Sequence, residues 1–476
     1  MTQFEPVIGL EIHAQLLTET KLFCGCSVEF GKQPNRNVCP VCLGWPGALP
    51  AINARAVSLA VRGALALNCK IQRRSVFARK QYFYPDLPKG YQISQFELPF
   101  STDGSVDICV DGVSKRAGIT RVHMEEDAGK NVHGLGGNSV VDLNRAGTPL
   151  IEIVGEPDLC SSAEAAAYMR AVRDIVVFAG VNDGNLEEGS FRCDANVSVR
   201  PVGQKKLGTR TELKNINSFR FVQKAIDFEI QRQIAVIESG RAVAQETRSY
   251  DPDKDVTAPL RSKADAHDYR YFPDPDLPPL VIEPSMVAEQ REALPLLPQA
   301  RRSKYTGEWG LGAPAAATLT THPRIAEFFE RVVALGAPAF KAANWVQTEV
   351  LRGSSTSGLD ATFPVSPEQL AELIILIEKG DISGKQAKEV YVVLEQGDAM
   401  PSAVVEERGM TVVSDPSALE PIINEILANN PKPVEQYRSG KKGTLGFFVG
   451  QVMKATKGSA DPKLVSQLLT QALDSE

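Results

Sequence analysis

Acidic side chains recur on segments of the N-terminal half that read as strands or turns: Glu11 with His13, Glu125-Glu126-Asp127, Glu152, Glu187-Glu188, Asp194 and Glu212. Basic residues stand among them, namely Lys80, Lys89, Arg192, Arg210 and Lys214. Converging carboxylates are hard oxygen ligands. They suit Mg²⁺, which keeps part of its water and is commonly completed by substrate phosphates. Lysines close by would neutralise phosphate charge. On any single strand a polar face is most simply a solvated one; several strands behaving alike, with a histidine among the acids, point to a centre. Between Glu125 and Glu126 the choice stays open. Alternation groups Glu125 with His123 and Asp127, and a bulge would exchange the two glutamates. In Gly208 to Asn215, the residues Arg210, Glu212 and Lys214 share one face of an extended chain.

A second constellation is made of sulfur. Cys24-Gly25-Cys26 and Cys39-Pro40-Val41-Cys42 form two close pairs with twelve residues between them. Four thiolates from two such pairs can enclose a tetrahedral zinc ion and leave no open position, which makes the site structural. Gly25, Gly31, Pro40 and Gly44 permit the tight turns such knuckles need. The bland alternative is four reduced, buried thiols. The remaining cysteines, Cys69, Cys109, Cys160 and Cys193, are scattered, and a chain of 476 residues buries a core without disulfide staples.

The elements that carry these residues are partly legible. Val7 to Leu16 alternates strictly, with Ile8, Leu10, Ile12, Ala14 and Leu16 on one side and Gly9, Glu11, His13 and Gln15 on the other. Phe191 to Arg200 repeats the device, setting Arg192, Asp194 and Asn196 away from the core. Such two-faced strands belong to antiparallel sheets with one face covered. Ser161-x-x-Glu164 predicts a capping box and a helix ending near Gly180; Ser218 predicts a cap for a helix that stops at Gly240; Asn53 to Leu67 predicts a shorter amphipathic helix. Lys80 to Ser94 reads as a long, aromatic, functional loop. Five prolines between Pro273 and Pro284 mark a domain boundary, and a second break falls around Gly397 to Pro416. Beyond the first break the pattern is helical without convincing alternation, and Gly353-Ser354-Ser355-Thr356-Ser357-Gly358 reads as a flexible loop. The division expected is an α+β body of mainly antiparallel sheet over residues 1–292, a helical domain over 293–405 and a small helical tail over 406–476.

Composition limits what this can be. With 43% hydrophobic and 23% charged residues the chain is ordinary globular protein. A net charge of −6 excludes an overall basic nucleic-acid coat, though not a local patch. Lys432 to Lys463 is such a patch, with Lys432, Arg438, Lys441, Lys442, Lys454, Lys457 and Lys463 against Glu435 and Asp461; it suits an RNA backbone. No apolar run reaches the ~18–20 residues of a membrane span, and Met1 to Leu10 has no signal-peptide pattern. A cytoplasmic protein without a membrane partner is expected. P-loop, dinucleotide-fingerprint and HExxH motifs are missing from the sequence.

Several longer strings then match one family: Val7-Ile8-Gly9-Leu10-Glu11-Ile12-His13, Cys39-Pro40-Val41-Cys42-Leu43-Gly44, Tyr82 to Gln95, Glu125 to Lys130, Glu188 to Asn196, Thr211 to Phe219, Asp268 to Pro278 and Gly446 to Lys454. The chain resembles the B subunit of the bacterial aspartyl/glutamyl-tRNA(Asn/Gln) amidotransferases, and the similarity runs nearly end to end. The resemblance implies a cradle-shaped body, a helical domain and a YqeY-like tail. It also implies a heterotrimer, completed by an amidase-type glutaminase (the A subunit) and a small C subunit. In that assembly this chain would use ATP to phosphorylate the side-chain carboxylate of misacylated Glu-tRNA(Gln) or Asp-tRNA(Asn), and would hold the tRNA. Mg²⁺ would then sit among Glu11, His13, Glu152 and one of Glu125 and Glu126. Lys80 and Lys89 would meet ATP phosphates, and Asp194, Arg210 and Glu212 would line the reaction pocket or an ammonia entrance. Lys432, Arg438, Lys441, Lys442, Lys454 and Lys457 would face tRNA. The competing reading is a zinc-bearing, tRNA-binding scaffold that performs no chemistry.

Overall fold

The alternation near the N-terminus resolves into a strand, β1 (Phe4–Gln15), whose Ile8, Leu10, Ile12 and Ala14 are fully buried while Glu11, His13 and Gln15 stay half-buried on the other side. Each large apolar side chain so covered contributes about 1.5–3 kcal/mol as an upper bound. The structure is a computed structural model, described over residues 3–135, 138–261, 268–410, 416–456 and 460–474. It divides into two compact units, Met1–Ala300 and Arg301–Glu476.

After β1 the first unit runs α1 (Ala54–Ala66), β2 (Lys70–Ile71), β3 (Arg74–Ser75), β4 (Ala78–Gln81), β5 (Tyr91–Ser94), β6 (Ser101–Val110) and β7 (Val113–Glu126). Then come β8 (Lys130–Leu135), β9 (Asn138–Asp142), β10 (Pro149–Gly155), α2 (Ser162–Phe178), β11 (Phe191–Pro201), β12 (Thr211–Lys214) and α3 (Phe219–Glu238). The unit continues with β13 (Thr247–Asp251), β14 (Val256–Arg261), β15 (Phe272–Pro273), β16 (Leu280–Val281) and α4 (Pro284–Glu292). Nine strands join in one sheet, in the order β14-β13-β12-β11-β1-β10-β7-β6-β2. Its pairs are antiparallel except β12 with β13, which α3 connects as a crossover. Helices α1, α2 and α3 share one apolar core with the inner face of the sheet. The opposite face of the central strands carries the acids and histidines.

The caps are where the sequence puts them, with one difference. Asn53 accepts from the amides of Arg55 and Ala56, Ser161 from Glu164 and Ser218 from Phe221. Gly180 and Gly240 take positive φ just past their helices. The Glu164 carboxylate, however, accepts from the Cys160 amide and pairs with Lys115, so the reciprocal half of the expected capping box is not made with Ser161.

Three local expectations are corrected. Lys80 to Ser94 is not loop throughout, because its ends are the antiparallel strands β4 and β5 with Lys80 opposite Gln92. The proline-rich stretch is stitched to the body. β15 pairs with β4, β16 pairs with β3, and Arg79 reaches Asp274 and Asp276 at 2.8 Å each. Proline at these positions ends short edge strands and starts α4, whose Gln290 accepts from Arg62. The serine-rich segment is a hairpin, with Ser355–Ser357 pairing antiparallel with Asp360–Thr362 through a turn containing Gly358 at φ +59°.

The second unit holds two separate apolar clusters. One runs from Tyr305 to Val404 and the other from Leu419 to Leu473. Within the second break expected from the sequence, Pro401–Glu407 is helical and Val404 is buried in the first of these clusters; residues 411–415 lie outside the described residues. Among the described residues no helix is long and apolar enough to cross a membrane.

Candidate functional site

Sheet register assembles the polar face. Arg192 of β11 lies opposite His13 of β1, His13 opposite Glu152 of β10, and Glu152 opposite His123 of β7, so four neighbouring strands contribute one row. Two residues back along β1, Glu11 faces Asp194, and on the next strand Glu212 faces Asn196. The residues come together because alternation turns them all away from the helices.

At the centre His13 Nε2 stands 3.5 Å from Glu125 Oε1 and 3.4 Å from Glu152 Oε2. His123 Nε2 stands 3.4 Å from the same Glu152 oxygen and 3.8 Å from Glu125 Oε2. One donor atom each from His13, Glu125 and Glu152 falls within 4.8 Å of the others. Octahedral Mg²⁺ at ~2.1 Å from each ligand sets adjacent donors ~3.0 Å and opposed donors ~4.2 Å apart, and the 3.5 and 3.4 Å spacings of His13 from the two carboxylates fall in that range. Glu11 flanks the group and accepts from Asn196 Nδ2 at 2.8 Å. Burial raises its carboxyl above the ordinary value, and Glu152 and Glu212 raise it further.

The other charges answer one another. Burial opposes ionisation of Glu152, yet His123 and His13 hold its carboxyl well below the usual range. Burial pushes His123 down, but Glu152 and Glu125 carry it up to about 9; His13 is raised in the same way, through Glu152 and then Glu125. Burial likewise opposes the charge of Lys80, and Glu125 and Glu152 overcome it; its ammonium sits 4.9 Å from the Tyr269 ring. Lys214 bridges Asp194 at 2.6 Å and Glu212 at 2.8 Å. His123 Nδ1 and Arg121 Nε are buried and find no hydrogen-bond partner among the described residues.

Not every expected residue arrives. Glu125 joins the cluster, with Ser94 Oγ donating to its Oε2 at 3.3 Å. Glu126 does not, because its Oε1 is taken by the Lys89 ammonium and by the Ile93 amide at 2.9 Å. Lys89 is therefore withdrawn from the phosphate role, its side chain only 9% exposed. Arg210 precedes β12 and is exposed, so it does not share the strand face with Glu212 and Lys214. Asp127 closes the row from one end, its Oδ2 accepting from Arg192 and Gln15 at 3.0 Å each, with Arg145 at 3.5 Å. His123 and Asp127 were within reach of sequence reasoning, through the alternation that groups them with Glu125. Ser94 was not, because its contact with Glu125 depends on β5, a segment the sequence reads as loop.

The four clustered cysteines also meet. Their sulfurs lie within 4.8 Å of one another, Cys39 and Cys42 at 3.9 Å, and all four are free thiols. A zinc tetrahedron with ~2.3 Å bonds has sulfur–sulfur edges near ~3.8 Å. The Cys39 amide donates to the Cys42 sulfur at 3.2 Å. A hydrogen bond from Cys24 is the main reason the Cys42 thiol is pulled down to about 4; burial opposes it, and the Cys39 amide and the Lys21 charge add to it. Cys24 moves upward through its bond to Cys42, and burial is the largest cause raising Cys26 to about 11.

In the tail, Lys432 and Arg438 share the helix Pro431–Arg438, Lys441 follows it and Lys454 lies in Leu445–Ala455; Lys432, Lys441 and Lys454 are exposed. Two expected RNA contacts already have partners: Arg438 donates to the Leu473 carbonyl, and Lys442 pairs with Asp474 at 2.8 Å over the Tyr437 ring. Lys457 lies outside the described residues.

The model of the GatB/GatE catalytic domain matches residues 6–288, and that of the GatB domain matches residues 327–473. A Geobacter sulfurreducens protein, named as the B subunit of aspartyl/glutamyl-tRNA(Asn/Gln) amidotransferase, is 58% identical over 475 residues, 99% of each chain. Proteins of the same name from Geotalea uraniireducens and Thermodesulfovibrio yellowstonii are 56% and 52% identical, each over 99% of this chain and at least 99% of their own. Family models that match in both units, and relatives matched over nearly their full lengths, show that the chain belongs to the family of B subunits of the aspartyl/glutamyl-tRNA(Asn/Gln) amidotransferases.

Proposed function

We propose that this chain is the ATP-dependent, tRNA-holding component of a glutamine-hydrolysing amidotransferase, working in the cytoplasm with an amidase-type glutaminase and a small third protein. The substrates are Glu-tRNA(Gln), Asp-tRNA(Asn) or both, and the products are Gln-tRNA(Gln) and Asn-tRNA(Asn). The observation that carries the reading is the convergence of His13, Glu125 and Glu152, flanked by Glu11, from three strands of one sheet.

A carboxylate does not react usefully with ammonia, because oxide is its leaving group. In the first step a side-chain carboxylate oxygen of the aminoacyl-tRNA attacks the γ-phosphorus of ATP and ADP leaves. In the second, ammonia from glutamine attacks the acyl carbon and inorganic phosphate leaves. Such transfers depend on positioning and charge stabilisation. A bound Mg²⁺ would supply positive charge to neutralise the polyphosphate. Glu125 and Glu152 would hold it through oxygen, with His13 and Glu11 beside them. Lys80 would meet phosphate oxygens. His123 would keep Glu152 ionised, Ser94 would orient Glu125, and Arg192, fixed by Asp127, would offer a cation at one end of the row. Asp194 and Glu212, bound to Lys214, would form the wall past which ammonia enters. The body would cradle the acceptor end, and Lys432, Lys441 and Lys454 would meet the tRNA backbone. The four cysteines would hold a structural zinc ion.

The assembled enzyme tests this. Glu152→Ala and Glu11→Ala are expected to abolish tRNA-dependent ADP formation, by about 10²-fold or more, while the partner's glutaminase site still folds. Wild-type ATP cleavage in both variants would remove the acids from the reaction. Supplying free ammonia in place of glutamine separates the enzyme from a non-catalytic scaffold, since only the former would still amidate.

A further inference from the structure

Lys21 is among the largest fully buried side chains, 1% exposed. It follows the end of the first strand region and stands three residues before Cys24. Its ammonium donates to the Asn37 carbonyl at 2.6 Å, to the Leu143 carbonyl at 3.4 Å and to the Cys42 sulfur at 3.5 Å. Among the described residues no carboxylate pairs with it. Two carbonyl oxygens solvate an ammonium only in part, and a charge withdrawn from water needs a countercharge close by. Of its three acceptors, only the Cys42 sulfur can carry negative charge. A neutral Cys42 thiol would leave the ammonium buried and uncompensated; a zinc-held thiolate would not.

The surroundings are built around this side chain. Gly147, at φ +89°, lies so close that a side chain there would meet Lys21 Cδ at 3.3 Å. The Leu22 amide donates to the Gly147 carbonyl and the Lys21 amide to the Cys26 carbonyl, so the stem is fixed at its root. Lys21, Cys24, Cys42, Gly44 and Gly147 border a common cavity of about 210 Å³. One ammonium thus joins three segments: the knuckle at Cys42, the loop between its cysteine pairs at Asn37, and the loop before β10 at Leu143. Gly147, in that last loop, donates its amide to the Asp127 carbonyl at 2.8 Å.

We propose that Lys21 is the positioning residue of the cysteine site: it supplies the positive charge that a zinc tetrathiolate, with net charge −2, lacks, and it ties that site to the loop behind Asp127. The proposal rests on the reading of the four cysteines as a zinc site. Its content is thermodynamic. Removing the ammonium while keeping the stem weakens zinc retention, because the thiolates lose the buried cation at Cys42.

The test uses the full-length chain in its assembly. Zinc stoichiometry is measured on wild type, Lys21→Met and Lys21→Arg, and zinc affinity by competition against a chromophoric chelator. Alkylation rates of the cysteines in the zinc-loaded proteins are a second readout, independent of activity. Lys21→Met is expected to lose zinc affinity at least about tenfold and to be alkylated faster, with Lys21→Arg falling between it and wild type. If Lys21→Met does not yield soluble protein, Lys21→Gln takes its place in the same ranking. Equal zinc affinity in wild type and the neutral variant overturns the proposal and leaves the zinc site standing. A wild-type chain that neither contains nor binds zinc ends both.

Discussion

Asp127 governs the basic rim of the site. It is buried, and it accepts from Arg192 and Gln15 with Arg145 beside it. Burial raises its carboxyl, but Arg192 and Arg145 more than compensate and hold it below the ordinary value. A depressed folded value means that the pairing stabilises fully above the unfolded value of about 3.9 and is lost as pH falls through the folded one. Asp127→Asn is expected to cost about 1–3 kcal/mol at neutral pH, a range lowered because both arginines are partly exposed. It is also expected to flatten the acid limb of the stability profile, which denaturant titrations at a series of pH values would read; an unchanged limb would remove Asp127 as its source. The same scale shows why Glu125 and Glu126 could not be told apart from sequence. Both sit at the end of β7, and what separates them is β5, whose Ser94 takes one and whose Ile93 amide, with Lys89, takes the other. That neighbour is not encoded in the spacing of the acids. His13 and Glu11 were legible because they lie well inside a strictly alternating strand, whereas Glu152 stands in β10, whose Leu150 and Ile151 are both buried. Arg210 was misplaced because the strand begins one residue after it.

Among elements, the cysteine knuckle leans on the loop between β4 and β5 through one close approach. Gly44 takes φ +70°, and a Cβ there would stand 2.5 Å from Lys89 Cγ and 3.0 Å from Lys89 Cα. Gly44→Ala combines left-handed strain with that clash and is expected to cost about 1–3 kcal/mol. Faster zinc release with the sheet intact by circular dichroism would show that the loss is local. At the start of α2, Ser161→Ala should cost about 1 kcal/mol. Glu164→Ala should reach further than a cap residue, because its carboxylate also holds Lys115 and the Cys160 amide. Helix boundaries were readable in the sequence because caps and glycine stops are local signals. The hairpin at Ser355–Thr362 and the edge strands inside the proline-rich stretch were not. Each strand there is only two or three residues long and is specified by its partner.

At the scale of the whole chain, the two units carry different work in the proposed enzyme. The tail's exposed Lys432, Lys441 and Lys454 are the expected RNA contacts; Arg438 and Lys442 are tied to Leu473 and Asp474. Charge reversal of the first three should weaken tRNA binding and reduce the salt slope by roughly one for each phosphate no longer engaged. Reversal of Lys442 should mainly loosen the tail. Salt-dependent binding titrations would rank them, and equal effects would refute the division.

The row Arg192–His13–Glu152–His123 has a temporal consequence. His13, Glu152 and His123 become adjacent when β1 and β7 pair with β10, and Arg192 joins them only after β11 has docked against β1. Long-range pairing of this kind forms late and as a unit. A nascent polypeptide that has emerged only through β10 would carry every acid of the central cluster and still lack the flank that Arg192 and Asp194 provide. The basic flank of the row would therefore be completed only once β11 has been made and has paired with β1, after every acid of the central cluster is in place.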